Sequence, residues 1–506
     1  MIVPLLLVLA QPSAAFTVDP TQAVEISPYI YGTNFPDWEG LNTPFPFARQ
    51  GGNRMSAYNW ETNASNAGSD WHHQNDGYLG ESDEPGWTVR RFFEPAQSRG
   101  AAVLLTVPTL GYVSADKNAD GDVNQTPNYR EVRFHRSLPT KPGGAFAYPP
   151  DTTDRVVYQD EFVAWVEKAR SKTTPIWYSL DNEPDLWAHT HARLVPKNPG
   201  YAGIIANNVA FAGAIKAVAP DTLVFGPANY GWQGFRRFQD ADDSRGQDFL
   251  DVYLAAMRIA ERRTGRRLLD ALDIHWYPEA RGDGRRITSD DRETPGLAEA
   301  RIQAPRSLWD PTYVEDSWIA ESLGRKPIAL LPGILDQIRR HYPGTKLAIT
   351  EYNYGGSRHP SGLVAQADVL GIFGRYGIFA AANWGLSPGD SAQLAAFRAF
   401  LDFDAKGARF GDVGLGVQGG DPAAESLYAA RDRSNPNRLT LVAVNKTASP
   451  RMFVVRTATS RSASVRGFAA RHDRPFEPGS LPVARSGGTV RFTVPAYGVA
   501  TVEIQN

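Results

Sequence analysis

Between Ser27 and Leu401, short apolar, β-branched runs alternate with longer stretches of helical periodicity, and this alternation constrains the fold more than any other feature. The strand-like runs are Tyr29–Phe35, Phe47–Met55, Ala101–Pro108, Pro175–Asp181, Thr222–Pro227, Ala271–Trp276, Lys346–Glu351 and Ile378–Trp384. Between them, Val156–Ala169, Ile204–Val218, Phe249–Arg262, Ile334–His341 and Leu363–Tyr376 carry helical spacing. In the Ile204 stretch, Ile205, Val209, Ala212 and Ile215 recur on one face. Strands separated by helices run parallel, and eight of them predict an α/β fold, a closed (β/α)8 TIM barrel. An open doubly wound sheet is the alternative, but no G-x-G-x-x-G follows the first strand.

Beyond Asp402 the periodicity changes. Short alternating runs at Leu427–Ala430, Leu439–Val444, Met452–Val455, Val490–Val494 and Val499–Ile504 predict a C-terminal antiparallel β-sandwich. The strand-like segment Phe16–Ile26 precedes the barrel and can add to that sandwich. Ile2–Ala10, followed by Ser13-Ala14-Ala15, reads as the core and cleavage region of a secretory signal peptide, too short to span a membrane. A buried strand is the competing reading. The expected organisation is a signal at 1–15, an N-terminal strand at 16–26, a catalytic barrel at 27–403 and a sandwich at 404–506. No other segment approaches 18 uninterrupted apolar residues. A secreted, extracellular, bacterial protein, monomeric and away from membranes, is expected.

Composition removes several chemistries. Zero Cys among 506 residues excludes disulfides, thiolate metal sites and cysteine nucleophiles. Lys+Arg 53 against Asp+Glu 55, without a basic run, argues against nucleic acid as a partner. Twelve Trp supply both core and flat stacking surfaces.

In such a barrel, functional side chains project from the C-terminal ends of the strands. The fourth strand ends in Asp181-Asn182-Glu183-Pro184 and the seventh in Glu351-Tyr352-Asn353. A lone Glu at a strand end is ordinarily a cap or an ion-pair partner. Two meeting over one pocket can separate into acid and base, because burial and mutual charge push their pKa values apart.

Asn182-Glu183-Pro184 with Glu351 is similar to the glycoside hydrolases of clan A, and more specifically the chain resembles glycoside hydrolase family 44. The supporting stretches are Gly51–Arg54 through Tyr58–Trp71, Ser179–Trp187, Asp273–Glu279, Leu308–Tyr313 and Ile349–Gly356. The resemblance implies endo-acting, retaining hydrolysis of β-1,4-glucans such as cellulose-like chains, mixed-linkage glucan or xyloglucan. It makes Glu183 the general acid/base and Glu351 the nucleophile, with no cofactor for catalysis. Asn182 is expected to bond the sugar 2-OH.

Other expectations concern the barrel mouth. Arg49 and Arg54 bracket the end of the second strand, where either could orient the nucleophile or a hydroxyl; a structural ion pair is the competing reading. His275 and Tyr277 could hold Glu351, and packing competes for His275. Trp384 is expected as a sugar floor, and Trp71 and Trp309 as loop platforms for sugar. Trp177 and Trp165 are assigned to the core. Asp116-Lys117-Asn118-Ala119-Asp120-Gly121-Asp122 matches half a calcium loop, but Pro127 occupies the position of the required Glu, so a polar turn competes. Since members of the family commonly carry a structural calcium, the resemblance points to Glu61, Asp151 and Asp154 as its ligands. The pairs His72-His73 and His189/His191 lack a third ligand at zinc spacing. A non-catalytic carbohydrate-binding barrel and a metal-dependent barrel hydrolase are the alternatives.

Overall fold

The computed structural model describes residues 13–458 and 463–505. Eight parallel strands close into a barrel: Gly32–Asn34, Phe47–Gln50, Ala102–Val107, Ile176–Leu180, Val224–Tyr230, Ala271–Trp276, Lys346–Tyr352 and Ala380–Asn383, called barrel strands 1 to 8. Each falls within or across the run predicted for it. The second run was read too long: Gly51-Gly52 ends the strand, and Asn53–Ser56 turns into a helical segment. The helices Gln159–Ala169, Gly200–Val218, Phe249–Thr264, Leu330–His341 and Pro360–Arg375 cover the outside where helical spacing predicted them. Gly200–Val218 has the length and apolarity to cross a membrane by composition, but its buried face packs into the barrel wall beside Phe249–Thr264.

The barrel interior is divided along its axis. Phe47, Leu104, Trp177, Phe225 and small alanines plug the lower end, with Trp177 stacked on Phe225 at 5.6 Å. Polar side chains occupy the upper, C-terminal end, so the apolar plug forms the floor beneath them. Trp165 packs against Trp60 and Phe93 on the helical layer, in the core role expected of it.

Among the described residues, ten strands form a second sheet in one continuous hydrogen-bonded order. Its core joins Phe16, Phe453 and Phe492 with Leu441 and Val502, so the two halves of the sheet face each other as a sandwich. The strand Ser13–Glu25 sits between those halves, parallel to Arg451–Arg456 and antiparallel to Val413–Gly419. Ser13–Ala15, placed by the sequence in the removable segment, pair with Met452–Val454 in this strand; the rest of that segment lies outside the described residues. The strands Val413–Gly419 and Ser464–Ala469 escaped the sequence reading because glycine and arginine interrupt their apolar pattern. The sandwich is bolted to helix Pro360–Arg375 by buried Asp368, which meets Lys446 Nζ at 2.7 Å and accepts a hydrogen bond from Tyr428.

Candidate active site

Barrel strand 4 ends in a tightly constrained turn. Asp181 and Glu183 adopt positive φ of 70° and 42°, a conformation costing non-glycine residues about 1–3 kcal/mol each. Two buried aspartates on either side hold it. Asp181 accepts from the backbone N–H groups of Leu110 (3.0 Å) and Asn182 (2.8 Å). Asp185 accepts from Tyr230 N (3.0 Å) and Gln239 Nε2 (2.8 Å). Burial raises their pKa values to about 6 and about 7 respectively. Glu183 is thereby aimed across the barrel mouth.

Barrel strand 7 supplies Glu351 through a β-bulge. Ile274 pairs with Ile349, but His275 pairs with Glu351, so Thr350 is an extra residue without a cross-strand partner. Strand alternation would send Thr350 and Glu351 to opposite faces; the bulge lets both reach the interior.

Arg49, fully buried on barrel strand 2, organises the mouth. Its Nη1 donates to Glu351 Oε1 at 2.7 Å and to Asn34 Oδ1 at 3.1 Å, and Nη2 donates to Asn182 Oδ1 at 2.8 Å. Such a fork satisfies the planar, multidentate preference of guanidinium. The chain makes room for it: a Cβ on Gly51 would lie 2.2 Å from Arg49 Cζ. Gly52, at φ +86°, would drive a Cβ to within 2.7 Å of Trp384. Asn182 Oδ1 also accepts from Gly52 N (3.1 Å), and its Nδ2 lies 3.3 Å from Asn53 Oδ1. Asn53 in turn donates to Asp70 on the rim.

The two glutamates have different surroundings. Glu351 receives Arg49 on one oxygen and the Tyr277 hydroxyl, at 2.9 Å, on the other. Burial raises its pKa above the ordinary carboxylate range, and both contacts oppose that rise by favouring the ionised form. Glu183 meets His275 Nδ1 at 2.8 Å. Its pKa is driven well above the ordinary range, first by burial, then by the charge of Glu351 and of Asp185. Burial drives His275 the other way, keeping the imidazole neutral. One oxygen of each glutamate and a nitrogen of His275 lie within 4.8 Å of one another.

The structure therefore gathers Glu183, Glu351, Asn182, Arg49, His275 and Tyr277 at the mouth, with Trp384 half-buried beside Gly52. His275 is nearer to Glu183 than to Glu351, at 2.8 Å against 3.5 Å, which corrects its expected partner. Arg54 does not join them. It pairs with Asp76 at 2.5 Å beneath the Tyr78 ring, so the ion-pair reading holds for this residue. Trp71 is 57% exposed next to Asp70, on the rim loop. Trp309 is remote from the mouth, stacked with Arg375 at the far end of helix Pro360–Arg375. Helices run antiparallel to the strands they follow, so that end lies at the floor of the barrel; Trp309 is no cleft platform.

The acidic sets also separate. Asp116 and Asp120 pair with Arg133, and Asp122 with Arg193; arginines take the charges of the half calcium loop. Glu61 is buried, receives no hydrogen-bond donor among the described residues, and has its pKa raised to about 8 by burial, Asp154, Glu161 and, less strongly, Asp151. That excess of negative charge suits a divalent cation, although the carboxylates of Glu61, Asp151 and Asp154 do not close to within 4.8 Å of one another. His191 lies near His73, but no three-ligand group forms around the histidine pairs among the described residues.

Sequence reasoning missed Asn34, Asp273, Thr350, Asp181 and Asp185. Asp273 was within reach: Asp273 and His275 alternate along barrel strand 6, so an inward His275 implies an inward Asp273.

Comparison with known proteins agrees with this geometry. Residues 64–280 match the sequence profile of glycoside hydrolase family 44. The chain is 38% identical to Endoglucanase A of Paenibacillus lautus over 458 residues, which is 86% of this chain and 64% of that protein. This chain thus spans less than two thirds of that relative's length. The crystal structure of a family 44 endoglucanase from Clostridium thermocellum superposes with a TM-score of 0.91 at 38% identity, covering 98% of this chain and 100% of that one. A family 44 xyloglucanase from Paenibacillus polymyxa, determined with xyloglucan, gives 0.90 at 35% identity, with 98% and 100% coverage.

Proposed function

This chain belongs to glycoside hydrolase family 44, and from that premise we propose that it is an extracellular endo-β-1,4-glucanase acting with retention on cellulose-like, mixed-linkage or xyloglucan chains. The observation that carries the reading is the pair of buried glutamates with oxygens within 4.8 Å, Glu183 pushed toward its acid form by burial and neighbouring charge and Glu351 paired with Arg49 and Tyr277, which favour its carboxylate. Retaining enzymes need carboxyl groups about 5–5.5 Å apart, whereas inverting enzymes leave about 6.5–9.5 Å for a water. The short separation supports double displacement.

Glu351 attacks the anomeric carbon while Glu183 passes its proton to the departing glycosidic oxygen. In the second step, Glu183 takes a proton from water, whose oxygen displaces Glu351. Arg49 favours the ionised form of Glu351 against burial and, through Asn182 Oδ1, fixes Asn182 so that Nδ2 is available to the sugar 2-OH. Trp384 is the floor for the sugar being cleaved, and Trp71 a rim platform. Side chains supply every group the scheme needs. The endoglucanase and xyloglucanase relatives support the glucan class. The charge around Glu61, with Asp151 and Asp154, supports a structural calcium away from the reacting atoms.

Proton magnetic resonance of the first product from a soluble glucan tests the scheme. The β-anomer appears first under retention; an α-anomer refutes it. Glu183→Gln and Glu351→Gln should each abolish hydrolysis of unactivated glucan, and full activity in either removes that residue from its role.

A further inference from the structure

Five charged or titratable side chains are buried together below the sugar-facing surface: Glu183, Glu351, Asp273, Arg49 and His275. Arg49 is committed to Glu351. Glu183 and Asp273 are left as two buried carboxyls around one neutral imidazole. A hydrogen-bonded chain joins them. Glu183 Oε1 lies 2.8 Å from His275 Nδ1, His275 Nε2 lies 3.3 Å from Thr350 Oγ1, and Thr350 Oγ1 lies 2.8 Å from Asp273 Oδ2.

The chain has three links, and each needs one hydrogen. A neutral imidazole supplies one and the threonine hydroxyl another. The third must come from a carboxyl, so one proton completes the chain, and it can be ordered in two ways. With the proton on Glu183, the carboxyl donates to Nδ1, Nε2–H donates to Thr350, and the hydroxyl donates to ionised Asp273. With the proton on Asp273, every donor and acceptor is exchanged.

The surroundings choose between them. Asp273 feels the positive charge of Arg49, which outweighs a smaller opposing influence of Glu351, and the Thr350 backbone N–H approaches its other oxygen at 3.3 Å. Glu183 faces the carboxylates of Glu351, Asp185 and Asp70, and the undissociated phenol of Tyr277, with the cation Arg49 opposing them. We propose that Asp273 and Thr350 are positioning residues that fix His275 as its Nε2–H tautomer and so hold the transferable proton on Glu183. The proposal rests on the reading of Glu183 as the acid. Burial raises Asp273 only to about 7, whereas Glu183 is raised well above the ordinary range, the order the proposal requires. After Glu183 has passed its proton to the leaving oxygen, its carboxylate faces the Nδ1 lone pair instead of a donor. It therefore stays basic enough to recover a proton from water in the second step.

Nitrogen magnetic resonance of histidine-labelled enzyme, with His275 identified by the resonance missing from His275→Gln, reads the tautomer without any turnover. The wild type should show Nδ1 unprotonated and Nε2 protonated across the active pH range; a protonated Nδ1 overturns the proposal, whether or not any Thr350 variant folds. Thr350→Val keeps the branched shape and removes the acceptor for Nε2–H. The imidazole should then turn to Nδ1–H, donate to Glu183 and lower its pKa. The basic limb of kcat/KM should move to lower pH by about one unit, and Thr350→Ser should return limb and tautomer to their wild-type positions. A folded Thr350→Val enzyme with the wild-type limb or tautomer also overturns it. If Glu183→Gln still hydrolyses glucan, the acid assignment falls; if that variant is inactive but Nδ1 is protonated, only the relay falls.

Discussion

Tyr277→Phe removes a single oxygen from the mouth of the barrel, and its effect can be worked out from one contact. The hydroxyl donates to Glu351 Oε2 at 2.9 Å. Burial and the two neighbouring glutamates hold the phenol well above its ordinary pKa, so it remains a donor at every pH the enzyme is assayed. A hydrogen bond to a charged group contributes about 1.5–3 kcal/mol, and one pKa unit corresponds to about 1.4 kcal/mol. Since the bond favours the carboxylate over the acid, losing it should raise the Glu351 pKa by about 1–2 units, with Arg49 still bound to Oε1. Glu351 must be ionised to attack, so the acid limb of kcat/KM moves to higher pH by the same amount. The assay is the initial rate of reducing-end release from a soluble glucan at low substrate concentration across the pH range. About one unit below the wild-type limb, the variant should be slower by roughly 10- to 100-fold, while above both limbs the curves approach each other. A curve scaled down uniformly, with its acid limb in place, would refute the argument and give the hydroxyl a role in binding instead.

Three further outcomes follow from the geometry. Gly52→Ala meets both a positive φ and the Trp384 ring, so it should lower stability by about 1–2 kcal/mol, measured by urea unfolding. It should also raise KM by displacing the sugar floor; an unchanged KM would separate Trp384 from substrate. For Asp185→Asn, the sign follows from a folded-state pKa of about 7 against the ordinary aspartate value of 3.8: the folded state binds the extra proton, so this group's contribution is present below about pH 4 and lost as pH rises through about 7. The variant should therefore cost more stability at pH 4.5 than at pH 7, and a cost that grows with pH would reverse the assignment. Chelation should lower the melting temperature through the Glu61 cluster, with calcium restoring it; a melting temperature indifferent to both would remove the cation.

The barrel strands were legible where a run is largely apolar on both faces, a pattern that survives in Ala102–Val107 without any knowledge of partners. Glu183 and Glu351 were legible because a charged residue directly beyond such a run needs a reason to be there. What stayed hidden depended on register. Nothing in Ile349-Thr350-Glu351 announces a bulge, yet the bulge decides that Thr350 faces His275. The fates of Arg49 and Arg54 were equally hidden. Arg49 lies on barrel strand 2 and Arg54 just beyond it, where helical segment Asn53–Ser56 turns Arg54 toward Asp76 while Arg49 stays in the barrel. Trp309 misled because its loop sequence resembles a platform, and only the direction of helix Pro360–Arg375 shows which end of the barrel it covers.

The strand Ser13–Glu25 has a consequence for how the molecule is assembled. It is made before the barrel, while its sheet neighbours Val413–Gly419 and Arg451–Arg456 come after it. During synthesis this strand waits, with both edges unpaired, until the whole barrel has been produced. Such long-range closure is slow, because the loop entropy is lost before any contact rewards it. The barrel, built from neighbouring strand–helix units, can form first and bring the two ends of the chain together. Opening the seam at Ser13–Glu25 would therefore disconnect the two halves of the sandwich sheet and leave the barrel strands paired.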